Sequence, residues 1–266
     1  MHQSSYYEKV SAYYDEDAPK FEDRYWENKT LQKIRKSFRD ETEEYQFSNA
    51  LEVGFGPGVD LIYFAKKYPN RQIFGIDVSP GMTAHAKEQI QKQGLSNIKI
   101  ASVSVEDIET EFPEDIFDLI YVYFGALNTV EDLSTAADFL RKQLTPDGKI
   151  VVTVINKWYW MGMLLPMLKL RFETAFKRIR KTWGGYSPKR NLDSKCYSPT
   201  EVKKAFSGFN LIKKRGYSIC YPAWYQDSLR EKLGGFSGFL WKVDKLLNKT
   251  PFWSKGEYTL FVFKKK

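Results

Sequence analysis

The sequence predicts an α/β protein whose mostly parallel sheet carries helices on both faces. Three observations lead there. Between residues 50 and 155, five short apolar runs alternate with segments of helical periodicity. Those runs are nearly continuous in apolar residues, as strands buried on both faces are. A glycine-rich turn follows the first run, and an acid closes the second.

The elements follow in order. Residues 1–45 mix acids, bases and aromatics at loosely helical spacing and read as an N-terminal helical cap. Ala50–Val53 is the first strand, and Gly54-Phe55-Gly56-Pro57-Gly58 the turn after it. Val59, Ile62, Tyr63 and Ala65 give a helix that ends before Pro69. Gln72–Ile76 is the second strand, ending in Asp77. Ser79 caps the next helix, with Pro80 at its first position and Gly94 as its stop. Ile98–Val103 is a third strand and Phe117–Val122 a fourth. Leu133–Leu144 is amphipathic, Thr145–Gly148 is a turn, and Lys149–Ile155 is a fifth strand. Residues 157–195 break the alternation. Ser198-Pro199-Thr200-Glu201 opens a helix with a capping box, and Leu211–Cys220 and Tyr258–Phe263 are two further strands. A helical segment near 236–247 lies between them. The boundaries are a cap at 1–45, a core at 46–156, an insertion at 157–200 and a C-terminal part at 201–266.

Composition narrows the function. Two cysteines, Cys196 and Cys220, and two histidines, His2 and His85, leave almost nothing for a zinc site or a Ser-His-Asp triad. No metal is expected. The opening residues lack the apolar core of a signal peptide, and the apolar run Trp158–Leu168 is too short to span a bilayer. These features lead us to expect a cytoplasmic protein. Charge is unevenly spread. Residues 1–156 hold 17 Lys+Arg and 26 Asp+Glu, and residues 157–266 hold 24 and 7, so the halves carry −9 and +17. Six of seven tryptophans lie in the basic part. Such asymmetry suits an anionic partner, although a solvated basic surface explains any single lysine cluster.

A strand running into Gly54-x-Gly56-x-Gly58 and then a helix is a nucleotide-binding turn. Glycine permits positive φ and close approach, and the helix start offers free N–H groups. Asp77, 19 residues after Gly58, is placed to accept from both hydroxyls of a ribose. Val59 stands where a dinucleotide fingerprint has its third glycine. Leu51-Glu52-Val53-Gly54-Phe55-Gly56-Pro57-Gly58 resembles instead the first motif of the class I S-adenosylmethionine-dependent methyltransferases. Gly75–Met82 resembles their second motif, Phe117-Asp118-Leu119-Ile120 the fourth strand, and Leu144–Lys149 the turn into the fifth.

The resemblance implies a Rossmann-like sheet of seven strands, mostly parallel, with helices on both faces. The inserted segment after strand five would then be a helical lid. It also implies S-adenosyl-L-methionine as cofactor. Glu52 belongs to the first motif, and the Gly54, Gly56 and Gly58 turn would cradle the methionine part and ribose. Asp77 would take the ribose diol, and Val78 and Met82 would pack on adenine. The family's adenine-binding acid is replaced here by Ser104, with Val105 through its backbone and Glu106 as the alternative. Tyr123 matches a position at the sulfonium end. For Val78, Val105 and Tyr123 plain core packing is the competing reading.

A sulfonium methyl is already activated, so the enzyme mainly aligns a nucleophile. No catalytic base stands out among the carboxylates and tyrosines, and His85 reads as structural. No Asn/Asp-Pro-Pro-Tyr follows strand four, where Gly125-Ala126-Leu127-Asn128 stands, and no Pro-Cys occurs, which disfavours DNA methylation. The expected acceptor is a small or lipid-like molecule. RNA, served by the basic half, is a second reading, and a cofactor-binding subunit without turnover a third. Leu168, Phe172, Phe176 and Ile179 fall four, four and three apart among Lys169, Arg171, Lys177, Arg178, Arg180 and Lys181. That spacing predicts one basic amphipathic helix, either covering the active site or touching an anionic membrane peripherally.

Overall fold

The computed structural model describes residues 5–186 and 191–266; His2 and residues 187–190 of the insertion lie outside the described residues. Helices α1 (Ser5–Glu27) and α2 (Lys29–Thr42) precede β1 (Asn49–Val53), α3 (Val59–Lys67), β2 (Gln72–Ile76), α4 (Pro80–Lys92) and β3 (Ile98–Ala101). Then come α5 (Ile108–Glu111), β4 (Phe117–Val122), α6 (Leu133–Lys142) and β5 (Leu144–Ile155). The insertion carries α7 (Trp160–Leu168) and α8 (Phe172–Phe176). The chain closes through α9 (Pro199–Ala205), β6 (Phe209–Tyr217), α10 (Asp227–Leu233), α11 (Gly235–Leu247) and β7 (Tyr258–Lys265).

Seven strands form one sheet in the order β3-β2-β1-β4-β5-β7-β6, with β7 antiparallel to both neighbours. Strand periodicity divides the apolar residues between two layers. Leu51, Ile120, Val152 and Phe261 face one buried cluster, while Ala50, Leu119, Tyr121, Val151 and Leu260 face the other. Both faces are therefore dry, which is why these strands read as continuous apolar runs. β1 pairs with β2 on one side and β4 on the other, so connections leave it in opposite directions. The crevice at the carboxyl ends of β1 and β4 is where an open α/β sheet can admit a ligand.

Local signals set several boundaries. Ser79 caps α4 by accepting from Met82 N, and Ser198 and Glu201 form the capping box of α9. Three expectations need correction. The turn at Thr145–Gly148 lies inside β5 as an irregularity: Phe117 pairs with Leu144 but Leu119 with Lys149. β6 stops at Tyr217, because Ser218 adopts φ 54° and Asp244 of α11 accepts from the amides of Ile219, Cys220 and Tyr221.

The third correction is the basic amphipathic helix, which is not one helix. The Pro166 carbonyl accepts from Lys169 N and Arg171 N, and Leu170 turns left-handed at φ 56°, ending α7. The five-residue α8 and a single 3₁₀ turn, Lys177–Ile179, follow. Arg178 is not on the surface. Its guanidinium donates to both carboxylate oxygens of Glu257 (2.9 and 2.7 Å) and to Asn156 O (3.2 Å), and Glu257 is fully buried. This pair pins the insertion to the start of β7. Leu168, Phe172, Phe176 and Ile179 stay exposed.

Candidate functional site

A cavity of about 440 Å³ opens at the carboxyl ends of β1 and β4. Its floor is the glycine turn. Gly54, Gly56 and Gly58 all have positive φ (73°, 55° and 82°), which an ordinary side chain rarely adopts. The three differ in what they need. A Cβ on Gly54 would sit 2.3 Å from Ala126 Cβ, so the missing side chain lets β1 meet the turn after β4. A Cβ on Gly58 would lie 3.1 Å from Ala86 Cβ, so that glycine allows α3 to pack on α4. A Cβ on Gly56 would meet nothing nearer than Phe21 at 3.9 Å, and Gly56 lines the cavity.

Asp77 closes this floor. One carboxylate oxygen accepts from Gly56 N (2.8 Å) and the other from Ser79 N (2.9 Å). Burial pushes its carboxyl up to about 6, against the pull of those two N–H groups. An ionised carboxylate accepts at about four lone-pair positions, so two remain for a ligand. Glu52 lines the wall beside it, fully enclosed, with Oε2 lacking any hydrogen-bond partner. Burial, reinforced by Asp60, holds the Glu52 carboxyl well above the usual carboxylate range. Arg35 and Arg39 pull the other way, and a cationic ligand group would add to that pull. Asp60 itself is held by Arg39 Nε (2.6 Å) and by Arg35.

The expected site residues separate into two groups. Glu52, Gly54, Gly56, Asp77, Val78, Met82, Val105 and Tyr123 line the cavity. Gly58, Ser104 and Glu106 do not. The Ser104 hydroxyl donates to Asp107 (2.6 Å), and Glu106 accepts from Tyr7 (2.6 Å). Tyr123 shows the cavity its ring, because its hydroxyl is engaged by Thr42 Oγ1 (2.5 Å) and the Phe38 carbonyl (3.2 Å). His85 binds Glu22 of α1 (2.8 Å), a contact between helices.

Sequence reasoning missed the roof. Asp15 of α1 accepts from the Ser79 hydroxyl (2.6 Å) and Gly81 N (2.8 Å), clamping α1 across the start of α4. Tyr14, Phe21 and Tyr25 are thereby brought into the wall, which Trp183, Tyr186 and Trp224 also line. Asn128 fixes the rim: its Oδ1 accepts from Ile155 N (2.9 Å) and its Nδ2 donates to Lys195 O (2.5 Å). Only aromatic enrichment hinted at these residues.

The geometry fits an adenosyl sulfonium ligand: backbone with room at Gly56, spare carboxylate lone pairs at Asp77, a carboxyl oxygen without a hydrogen-bond partner at Glu52, and a volume within the usual ligand-site range. Comparison with known proteins agrees. Residues 50–148 match the family model described as a methyltransferase domain. A demethylmenaquinone methyltransferase of Bacteroides fragilis is 26% identical over 227 residues, covering 79% of this chain and 85% of that protein. A malonyl-[acyl-carrier protein] O-methyltransferase of Ilyobacter polytropus is 33% identical over 113 residues, 42% of this chain and 40% of that one. In fold, the chain is similar to the N-methyltransferase NodS of Bradyrhizobium japonicum in complex with S-adenosyl-L-homocysteine, with TM-score 0.57, 17% identity and coverage of 98% and 99%.

S-adenosyl-L-homocysteine should bind with an affinity that is flat above about pH 7 and weakens as the pH falls through about 6, where Asp77 gains a proton and loses acceptor capacity. Asp77→Ala should lower affinity roughly 10- to 100-fold, each charge-assisted hydrogen bond contributing on the order of 1.5–3 kcal/mol. Titration calorimetry measures both; a folded Asp77→Ala protein of unchanged affinity overturns the assignment.

Proposed function

We propose that this chain, which belongs to the class I S-adenosylmethionine-dependent methyltransferase family, methylates a small lipophilic acceptor. The observation that carries this reading is the cavity's aromatic half. Tyr14, Phe21, Tyr25, Trp183 and Trp224 stand in the same cavity as the glycine turn and Asp77. Such walls bury a flat or chain-like apolar molecule, and the two arginines among them, Arg24 and Arg35, are already paired with Asp17 and Asp60. A relative named as a demethylmenaquinone methyltransferase favours the same class of acceptor. The RNA reading is weakened by the fate of several basic side chains: Lys213 and Arg215 pair with Glu41, Lys157 with Glu201 and Arg178 with Glu257.

When bound, the cofactor supplies a methyl group on a positively charged sulfur. Everything else falls to the protein. Asp77 and the glycine turn hold the nucleoside, Glu52 balances positive charge, and the ring of Tyr123 faces the reacting end. Residues 1–45 act as a cap and 157–200 as a lid that excludes water, while 46–156 and 201–266 build the sheet beneath. Excluding water and aligning the acceptor with the methyl group is the main catalytic contribution such a site makes.

The lid's outer surface suits a bilayer. Leu164, Met167, Leu168, Leu170, Phe172 and Phe176 are exposed, with Leu168 and Leu170 72% and 78% accessible. Lys169, Arg171, Arg180 and Lys181 stand exposed among them. Apolar side chains ringed by cations dip into the headgroup boundary of anionic membranes. Among the described residues no helix is long and apolar enough to cross a membrane. Contact of this kind would be peripheral, from the cytoplasmic side, and would let a lipid-soluble acceptor enter under the lid.

Two experiments test this reading. With an isotopically labelled methyl donor and a whole-cell extract as acceptor source, label should appear in an organic-soluble product; label confined to RNA would contradict it. In vesicle sedimentation at low salt, the protein should bind anionic and ignore neutral lipid, and Lys169→Glu with Arg171→Glu should weaken binding by about 1 kcal/mol per charge removed, or more. Binding unaffected by that pair of changes would remove the membrane role and leave the lid.

A further inference from the structure

Glu257 is a fully buried carboxylate at the start of β7 that no step described so far uses. Burying an ion pair costs several kcal/mol per ion in desolvation, a cost that apolar packing avoids. Its surroundings give it a direction. Arg178 donates to both Glu257 oxygens (2.9 and 2.7 Å), which keeps the carboxylate an acceptor. The Tyr186 hydroxyl donates to Glu257 Oε1, and the Tyr258 hydroxyl stands 3.4 Å from that of Tyr186. Tyr186 and Tyr258 line the cavity. With Tyr186 donating to Glu257, the Tyr186 oxygen can accept from Tyr258, and the Tyr258 oxygen then keeps lone pairs for a donor in the cavity. A chain polarised this way accepts a hydrogen from a ligand.

We propose that Tyr258, Tyr186 and Glu257 form the acceptor subsite, a hydrogen-bond chain that takes the proton of a hydroxyl group and so selects a lipophilic alcohol or phenol. This rests on the methyl-transfer reading above. The step balances. A lone pair of the acceptor oxygen would form the new bond to the methyl carbon, and the electron pair of the broken carbon–sulfur bond would stay on sulfur, leaving a neutral thioether. The hydroxyl proton passes to Tyr258 as the Tyr258 proton passes to Tyr186 and the Tyr186 proton to Glu257, which later returns it to water. Burial raises both tyrosines well above the usual phenol range, so they relay a proton without resting as phenolates. In this scheme Tyr258 is the catalytic residue, and Tyr186 and Glu257 are positioning residues acting through it.

The test is a binding preference that needs neither cofactor nor the natural acceptor. 2-Naphthol and 2-methoxynaphthalene differ in one hydrogen-bond donor, and quenching of Trp183 and Trp224 fluorescence reports their binding. The wild type should prefer the naphthol by about tenfold or more, because a site built to pair a hydroxyl rejects the analogue without it. Tyr258→Phe should equalise the two probes, and Tyr186→Phe should reduce the preference. Both changes remove one oxygen and keep the rings that pack on Phe124 and Trp183. General loss of structure would weaken both probes together and leave their ratio alone. Equal affinities in the wild type, no binding of either probe, or a preference that survives Tyr258→Phe overturns the proposal. If S-adenosyl-L-homocysteine still binds in that case, the chain has no such role and the methyl-transfer reading stands; if it does not bind, the reading itself has failed.

Discussion

The missing side chain at Gly54 is the constraint on which the rest of the site depends. β1 and β4 are neighbours in the sheet, and the chain leaving each must pass close to the other. With a Cβ at Gly54 only 2.3 Å from Ala126, that approach is closed. With none, the amide of Gly54 reaches Ile76 O at 2.8 Å and the turn settles over the end of β2. Asp77 then lies within reach of Gly56 N, and the floor of the cavity is set by backbone that no flexible side chain can reposition. Positive φ at three nearby residues is affordable because all three are glycine.

From that floor, structure spreads outward through polar contacts between elements distant in sequence. Asp15 ties α1 to the first turn of α4, and Glu22 reaches His85 one helical turn further on. Arg35 and Arg39 of α2 grip Asp60 at the start of α3. Arg178 draws the insertion onto Glu257. Each of these fastenings places aromatic rings around the cavity. Some of the charges that look like surface chemistry in the sequence thus serve as ties between elements: in the basic C-terminal part Arg178 is buried on Glu257, and Lys213 and Arg215 reach Glu41.

The legible parts are those written locally. The strand, turn and helix around Gly54–Gly58, the Ser79 cap, the capping box at Ser198 and the apolar runs of β2 and β4 depend on neighbours within a few residues, and the structure places them as read. Asp77, Val78, Met82, Val105 and Tyr123 reach the cavity for the same reason. Other features depend on partners the sequence does not pair. Glu106 turns to Tyr7, 99 positions away, and Ser104 to Asp107, so the register that placed them near a ligand did not decide where their side chains went. The stripe from Leu168 to Ile179 has helical spacing, but spacing carries no record of the left-handed Leu170 or of the pull that Glu257 exerts on Arg178. Pro166 was the visible warning.

The central claim is that the glycine turn is a cofactor cradle and not merely a connection between β1 and α3. Gly56 separates the two, because a Cβ there would meet nothing nearer than Phe21 at 3.9 Å, while the residue itself lines the cavity at φ 55°. Calorimetric titration of S-adenosyl-L-homocysteine into the wild type and Gly56→Val, alongside thermal melting of each, is the most direct test. The account predicts clear binding to the wild type and none to Gly56→Val, with cooperative melting in both. Equal binding by the two proteins would contradict it.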